Sequence, residues 1–174
     1  KIIKLLRIYK DSPQMLIIDK IIKTGNVKIF AKLNFDKNGK LLEDEYKLTF
    51  NIENMSIKLF NREKIKKISA VLKYSQNNLI IKNFKSDYQG VKLFSENIFI
   101  KKKKNDYIVK GNINTTENNI PSSISSIILK NKNFKDIVLS SKSNFSFDIS
   151  NKIKISNLKF SSKVNLKEAD YLLD

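Results

Sequence analysis

The sequence predicts a mainly β protein, a twisted antiparallel sheet built of hairpins with one apolar face per strand. Three observations carry this. Apolar and polar residues alternate with a period of two from Asn26 onward. Turn-forming residues recur at short intervals, among them Asp36-Lys37-Asn38-Gly39, Gln76-Asn77-Asn78 and Lys103-Lys104-Asn105-Asp106. The apolar positions are mostly Ile, Leu, Val and Phe, so each strand has a face that must be covered or occupied.

The first 24 residues read as helical. Ser12 can cap, Pro13 suits the first helical position and Gly25 can end the helix. Between them Ile17, Ile18, Ile21 and Ile22 recur at helical spacing, and Asp19 and Lys23 can pair one turn apart. This helix is expected to pack on the sheet or cap its end, with a membrane-surface helix as the alternative.

From Asn26 the period becomes two. Val27, Ile29, Ala31, Leu33 and Phe35 form one side of a strand, and Asn38-Gly39 is a strong hairpin signal because both residues tolerate positive φ. Tyr46, Leu48, Phe50 and Ile52 return, Glu53-Asn54 is expected to bend the chain, and Met55, Ile57 and Leu59 resume. Ile68, Ala70, Leu72 and Tyr74 follow, then Leu79 and Ile81, Val91 and Leu93, Ile98 and Ile100, and Tyr107, Val109, Gly111 and Ile113. Residues 115–136 break the rhythm as a polar insertion, with Pro121 and Ile124, Ile127 and Ile128 suggesting a short helix near 121–130. Phe145, Phe147 and Ile149, Ile153 and Ile155, and Val164 and Leu166 complete about ten short strands. The expected organisation is a helical segment (1–24), a β module (25–114), the insertion (115–136) and the start of a further module (137–174).

The net charge is +17, but Lys supplies 32 of the 34 cations and only Arg7 and Arg62 are Arg. Lys, Asn and Ile together make 79 of the 174 residues, a bias toward AT-rich codons. Base readout and bidentate phosphate contacts favour Arg. Lys28, Lys32, Lys47 and Lys58 are therefore expected on a solvated face opposite the apolar one, with no specific nucleic-acid site. Attraction to anionic headgroups is the sharper alternative.

With no Cys and no His, disulfides and Cys or His metal ligands are excluded, as are nucleophile–His pairs. Ser and Lys are too abundant for any one Ser–Lys pair to signal catalysis. Glu43-Asp44-Glu45 sits in an expected solvated turn. Asp36-Lys37-Asn38-Gly39 lacks the ligand ladder and terminal Glu of a calcium loop, and the four glycines are scattered rather than grouped for phosphate. No run of 18 apolar residues exists. The expectation is a protein that is not an enzyme and carries no cofactor. The chain begins at Lys1, its first Met is Met15 and its pattern runs on to Asp174, so a piece of a longer chain is expected. Periodicity alone leaves open whether the apolar face is a closed core or an open trough.

Residues 25–113 resemble the repeated β module of AsmA-like proteins from Gram-negative envelopes. The likeness lies in the order of a G-x-V opening at Gly25–Val27, an I-S-A-x-L strand at Ile68–Leu72, a short N-L-I-I strand at Asn78–Ile81 and a Y-x-G-V-x-L step at Tyr88–Leu93. Residues 138–168 look like the opening of another module. The resemblance implies a curved, twisted antiparallel sheet that forms an open apolar groove. It also implies a periplasmic protein anchored in the inner membrane through a segment outside this sequence, further modules of the same chain, and phospholipid as cargo between inner and outer membranes. On that reading the groove is lined by Val27, Ile29, Leu33, Leu48, Phe50, Ile52, Ile57, Leu59, Ala70, Leu72, Ile81, Leu93, Ile100 and Val109.

Overall fold

A computed structural model describes residues 22–40, 42, 46–59, 63–75, 78–103, 106–124, 134–150, 152 and 154–171. They form one open antiparallel sheet of eight strands in sequence order. The strands are β1 (Ile22–Lys32), β2 (Lys47–Leu59), β3 (Glu63–Ser75), β4 (Asn78–Tyr88), β5 (Val91–Lys103), β6 (Asp106–Ile120), β7 (Phe134–Ser150) and β8 (Ile155–Tyr171). Mainly β, antiparallel and hairpin-built, the chain follows the expected class. Two-residue connections join β3 to β4 and β5 to β6, since Ser75 pairs with Asn78 and Lys103 with Asp106.

The strands are fewer and longer than the sequence suggested, and the difference has one cause. Where the apolar alternation changes parity, the structure has a bulge inside a continuous strand; a bend was expected at one of these places, Glu53-Asn54. At the expected bend Glu53-Asn54, β2 continues as one strand, with Asn54 at φ 50° and the register shifting between Ile52 and Met55. Lys67 (φ 52°) does the same in β3, Asn83 (φ 53°) in β4 and Asn157 (φ 53°) in β8. The register also slips between Phe94 and Ile98 where β5 meets β6. Each irregularity coincides with two adjacent polar residues: Glu53-Asn54, Lys66-Lys67, Lys82-Asn83, Glu96-Asn97 and Ser156-Asn157. One extra residue restores the apolar side chains to the face they occupied before, and it increases local twist.

These bulges are neighbours across the sheet. Asn54 N donates to Ser69 Oγ of β3 (3.4 Å), and Ser95 Oγ donates to Asn112 Oδ1 of β6 (3.1 Å). In β1 the irregularity falls at Gly25, whose φ is 137°. A Cβ there would lie 2.6 Å from Met55 Cα, so only glycine lets β1 and β2 approach so closely. Gly25 was expected to end a helix; it sits inside β1, and Ile22–Thr24 are strand rather than helix. The rest of the expected N-terminal helix lies outside the described residues. Of the expected insertion helix, residues 122–124 form a single turn, with Ile124 N donating to Pro121 O (2.8 Å), and 125–130 lie outside the described residues.

The Asp36–Gly39 turn also differs from expectation. Only Gly39 takes positive φ, 78°. Gly39 N donates to Asp36 O (3.0 Å) and Asp36 N to Lys40 O (2.9 Å), a type I turn closed by a glycine bulge. The Asp36 carboxylate selects it by accepting from Asn38 N (2.8 Å) and Lys40 N (2.9 Å). A two-residue turn with both φ positive occurs instead at Gln89-Gly90, between Tyr88 and Val91.

β6 continues to Ile120 and β7 begins at Phe134, so both ends of the expected insertion, 115–120 and 134–136, are strand. Asn118, Asn119 and Ile120 pair with Leu139, Val138 and Ile137 beyond a bulge at Thr116-Glu117. Here the core is densest: Val91, Ile120 and Ile137 are buried against one another, with Leu93, Ile124 and Leu139 packed on them.

Candidate functional site: a continuous apolar sheet face

Residues directly opposite in an antiparallel pair share a face, so the register reads out the composition of each side. One row crosses all eight strands: Ile29, Phe50, Leu72, Ile81, Ile98, Gly111, Phe145 and Phe160. The next row holds Ala31, Leu48, Tyr74, Leu79, Ile100, Val109 and Phe147. On the other side of the first row Val27, Ile52 and Ala70 align, and past the bulge Ile22, Ile57 and Ile65.

The register thus brings together Val27, Ile29, Leu48, Phe50, Ile52, Ala70, Leu72, Ile81, Ile100 and Val109 from the expected groove set. Ile57 and Leu93 join them because the bulges in β2 and β5 reset the parity; Leu93 lies opposite Thr115. Leu33 follows the end of β1, outside the ladder, and is exposed. Leu59 pairs through its backbone with Glu63, and its side chain is outside the described set.

Gly111 occupies the middle of the longest row for a steric reason. A Cβ would lie 3.0 Å from Ile98 Cγ1 and 3.1 Å from Phe145 Cζ. The Phe145 ring therefore spreads over the glycine and keeps the apolar surface unbroken between β5 and β7. Phe145 also stacks on Phe147, with centroids 5.8 Å apart.

Sequence reasoning missed one feature of this face. On β6–β8, Thr115, Ser141, Ser143 and Ser162 place hydroxyls among the apolar rows. They satisfy one another: Ser143 Oγ and Ser162 Oγ are 2.8 Å apart, Thr115 Oγ1 and Ser141 Oγ 3.3 Å, and Ser141 N donates to Thr115 Oγ1 at 2.9 Å. The signal was available, since Ser141 and Ser143 continue the parity of Phe145 and Phe147.

The opposite face is cationic. Lys28, Lys32, Lys47 and Lys58 have the parity opposite to the apolar rows, as expected; Lys32 lies across from Lys47 and Lys58 from Lys64. On the same face a hollow of about 430 Å³ is lined by Lys67, Lys85, Lys92, Asp87 and Phe94, among others. Lys28 Nζ is 3.8 Å from Glu53 Oε1. Glu43-Asp44-Glu45 lies outside the described residues. Among the described residues no cluster of three or more metal-ligating side chains occurs, and no helix is long and apolar enough to cross a membrane. No family model, curated protein or solved structure matches the chain.

Proposed function

We propose that the apolar face is a trough that shields phospholipid acyl chains. On this reading the chain is a non-enzymatic module of a periplasmic AsmA-like protein moving phospholipid between the inner and outer membranes, attached to the inner membrane through a segment outside this sequence. One observation carries the reading: an apolar row runs unbroken through eight strands of a single sheet, and no second sheet faces it among the described residues. Burying a methylene is worth about 0.8 kcal/mol. An acyl chain on such a surface gains from every rung without a directional contact, so it can slide. The row of bulges supports curvature, because each adds twist and bends its strand. Seven strand spacings give a path of roughly 34 Å, shorter than ten strands would make it. Further modules in series would extend it.

A second reading is a structural β module with a closed core and no ligand. The cluster of Val91, Ile120 and Ile137, capped by Ile124, favours it at one end of the sheet. Leu72→Glu separates the two, since Leu72 lies in the middle of the long row. In an open trough the carboxylate reaches water and the protein stays folded, but lipid co-purifying with it in native mass spectrometry falls. In a closed core the same carboxylate is buried unpaired and the domain unfolds. A wild-type protein that never carries lipid would also favour the structural reading.

A further inference from the structure

The cationic face carries phenylalanines that a merely solvated face does not need. Phe30 is 58% exposed and Phe99 50%. They stand on one row of that face, Phe30–Thr49–Lys73–Ile80–Phe99–Lys110. Four strand spacings, roughly 19 Å, separate the two rings. The flanking rows supply Lys32, Lys47 and Lys101 on one side and Lys28 and Lys82 on the other. Two apolar anchors are thus ringed by lysines, with Glu53 beside Lys28 as the nearby carboxylate.

The register adds a second argument. Lys32 faces Lys47, Lys58 faces Lys64 and Lys142 faces Lys163 directly across strands. Like charges in this position destabilise a sheet, and an anionic partner relieves the cost. A codon bias raises the abundance of lysine and phenylalanine alike; it does not place two exposed Phe on one row with lysines on both flanks.

We propose that this face docks flat on an anionic lipid surface, with Phe30 and Phe99 inserted at the headgroup–acyl boundary and the surrounding lysines on lipid phosphates. The apolar face then points away from the bilayer, so the inference does not depend on the trough. A membrane is favoured over nucleic acid by the side chains present. Lysine is a point charge that serves headgroups well, whereas arginine forks suit phosphodiesters and bases. Each lysine near an anionic leaflet strengthens attachment about fivefold.

The chain contains no Trp, so single Trp reporters test this directly. Phe30→Trp, Phe99→Trp and, on the apolar face, Phe160→Trp are placed in the full chain, with circular dichroism to verify folding. Each is mixed with vesicles of equal parts phosphatidylglycerol and phosphatidylcholine, containing brominated acyl chains, and with vesicles of phosphatidylcholine alone. The expected result is blue-shifted, quenched emission at positions 30 and 99 with the mixed vesicles only, reversed by salt; any quenching at 160, by acyl chains entering the trough, is the same with both vesicles and is not reversed by salt. Lys73→Gln, Lys82→Gln and Lys101→Gln together are expected to weaken binding roughly a hundredfold. Quenching at 160 that, like that at 30 and 99, appears only with the mixed vesicles and is reversed by salt, no association with mixed vesicles, or a triple variant that binds unchanged would each overturn the proposal. Displacement from the vesicles by a single-stranded oligonucleotide at equal charge would replace it with a nucleic-acid surface.

Discussion

Ile137 and Leu166 lie one strand apart on the apolar face, yet Ile137 is 3% exposed and Leu166 60%. Both come from alternating runs of the same chemistry. Ile137 sits on β7 between two paired strands, against Ile120 of β6 and the Val91 cluster, whereas β8 is the last strand among the described residues and is paired there on one side. In a single-layer sheet, coverage comes from lateral neighbours and from whatever crosses the face. For these two residues the position in the strand order and the cover from Ile124 decide burial, and the residue pattern does not. Lysines and bulges blunt a strand against pairing with foreign chains, and both outer strands of the described sheet carry them. β8 carries Lys159, Lys163 and Lys167 with a bulge at Asn157; β1 carries Lys23, Lys28 and Lys32 with its irregularity at Gly25.

The sharpest way to break the comparison is to place the same charge at both positions. Ile137→Asp buries a carboxylate with no partner, and the loss is expected at about 3–5 kcal/mol, enough to unfold a domain of marginal stability. Leu166→Asp leaves its carboxylate in water, and a change of under about 1 kcal/mol is expected. Urea denaturation of the two variants measures both. Equal losses would mean that β8 is covered in solution and that the contrast is not a property of the strand order.

Gly111 probes the interior of the long row. Gly111→Val is expected to cost roughly 1–3 kcal/mol through overpacking. Two of the three atoms its Cβ would meet belong to the side chains of Ile98 and Phe145, but the third is the backbone oxygen of Asn97 at 3.2 Å, which cannot rotate away. Phe145→Leu should therefore rescue Gly111→Val in part only, which a double-mutant cycle reads as coupling. Full additivity would show that the Phe145 ring does not rest on the glycine.

How much of this was legible in the sequence differs between face and strand. The apolar set of one face was readable, because period two is a direct consequence of the pleat. Strand number was not. Glu53-Asn54 interrupts the alternation as a turn would, and both bulges and turns place a residue such as Asn at positive φ. What separates them is room: a chain reversal requires the next apolar run to pair with the previous one, whereas Met55, five residues after Phe50, pairs with Ile68, four residues along β3 from Leu72, the partner of Phe50. Two adjacent polar residues between apolar runs, without Gly or Pro, mark a bulge in this chain. Which rows would be covered was not readable either, since the strand order that exposes Phe160 and buries Ile137 is a tertiary fact.

A milder change sharpens the edge side of the comparison. Phe160 is 66% exposed and ends the long row. Phe160→Ser is expected to alter stability by under about 1 kcal/mol, while lowering lipid capture if the row is a lipid path. Thermal melts and native mass spectrometry on one sample separate the two effects. A large drop in melting temperature would show that β8 is packed against something in solution.

The smallest effect is expected where β8 reaches back over β7. Lys167 Nζ donates to Glu117 Oε2 of β6 at 2.8 Å, and both side chains are more than half exposed. The hydrogen bond and the charge of Glu117 raise the Lys167 pKa above its ordinary 10.5. A raised lysine pKa means that the folded state holds its proton more tightly than the unfolded one. The contribution is therefore complete below pH 10.5 and fades as the pH climbs through the folded-state value. Water and salt screen so exposed a pair. Glu117→Gln should leave the denaturation midpoint at neutral pH unchanged within error, and should lower the Lys167 pKa when its titration is followed by NMR. A clear loss of stability at neutral pH would mean that this bridge clamps the edge strand, and that β8 is held from above as well as from the side.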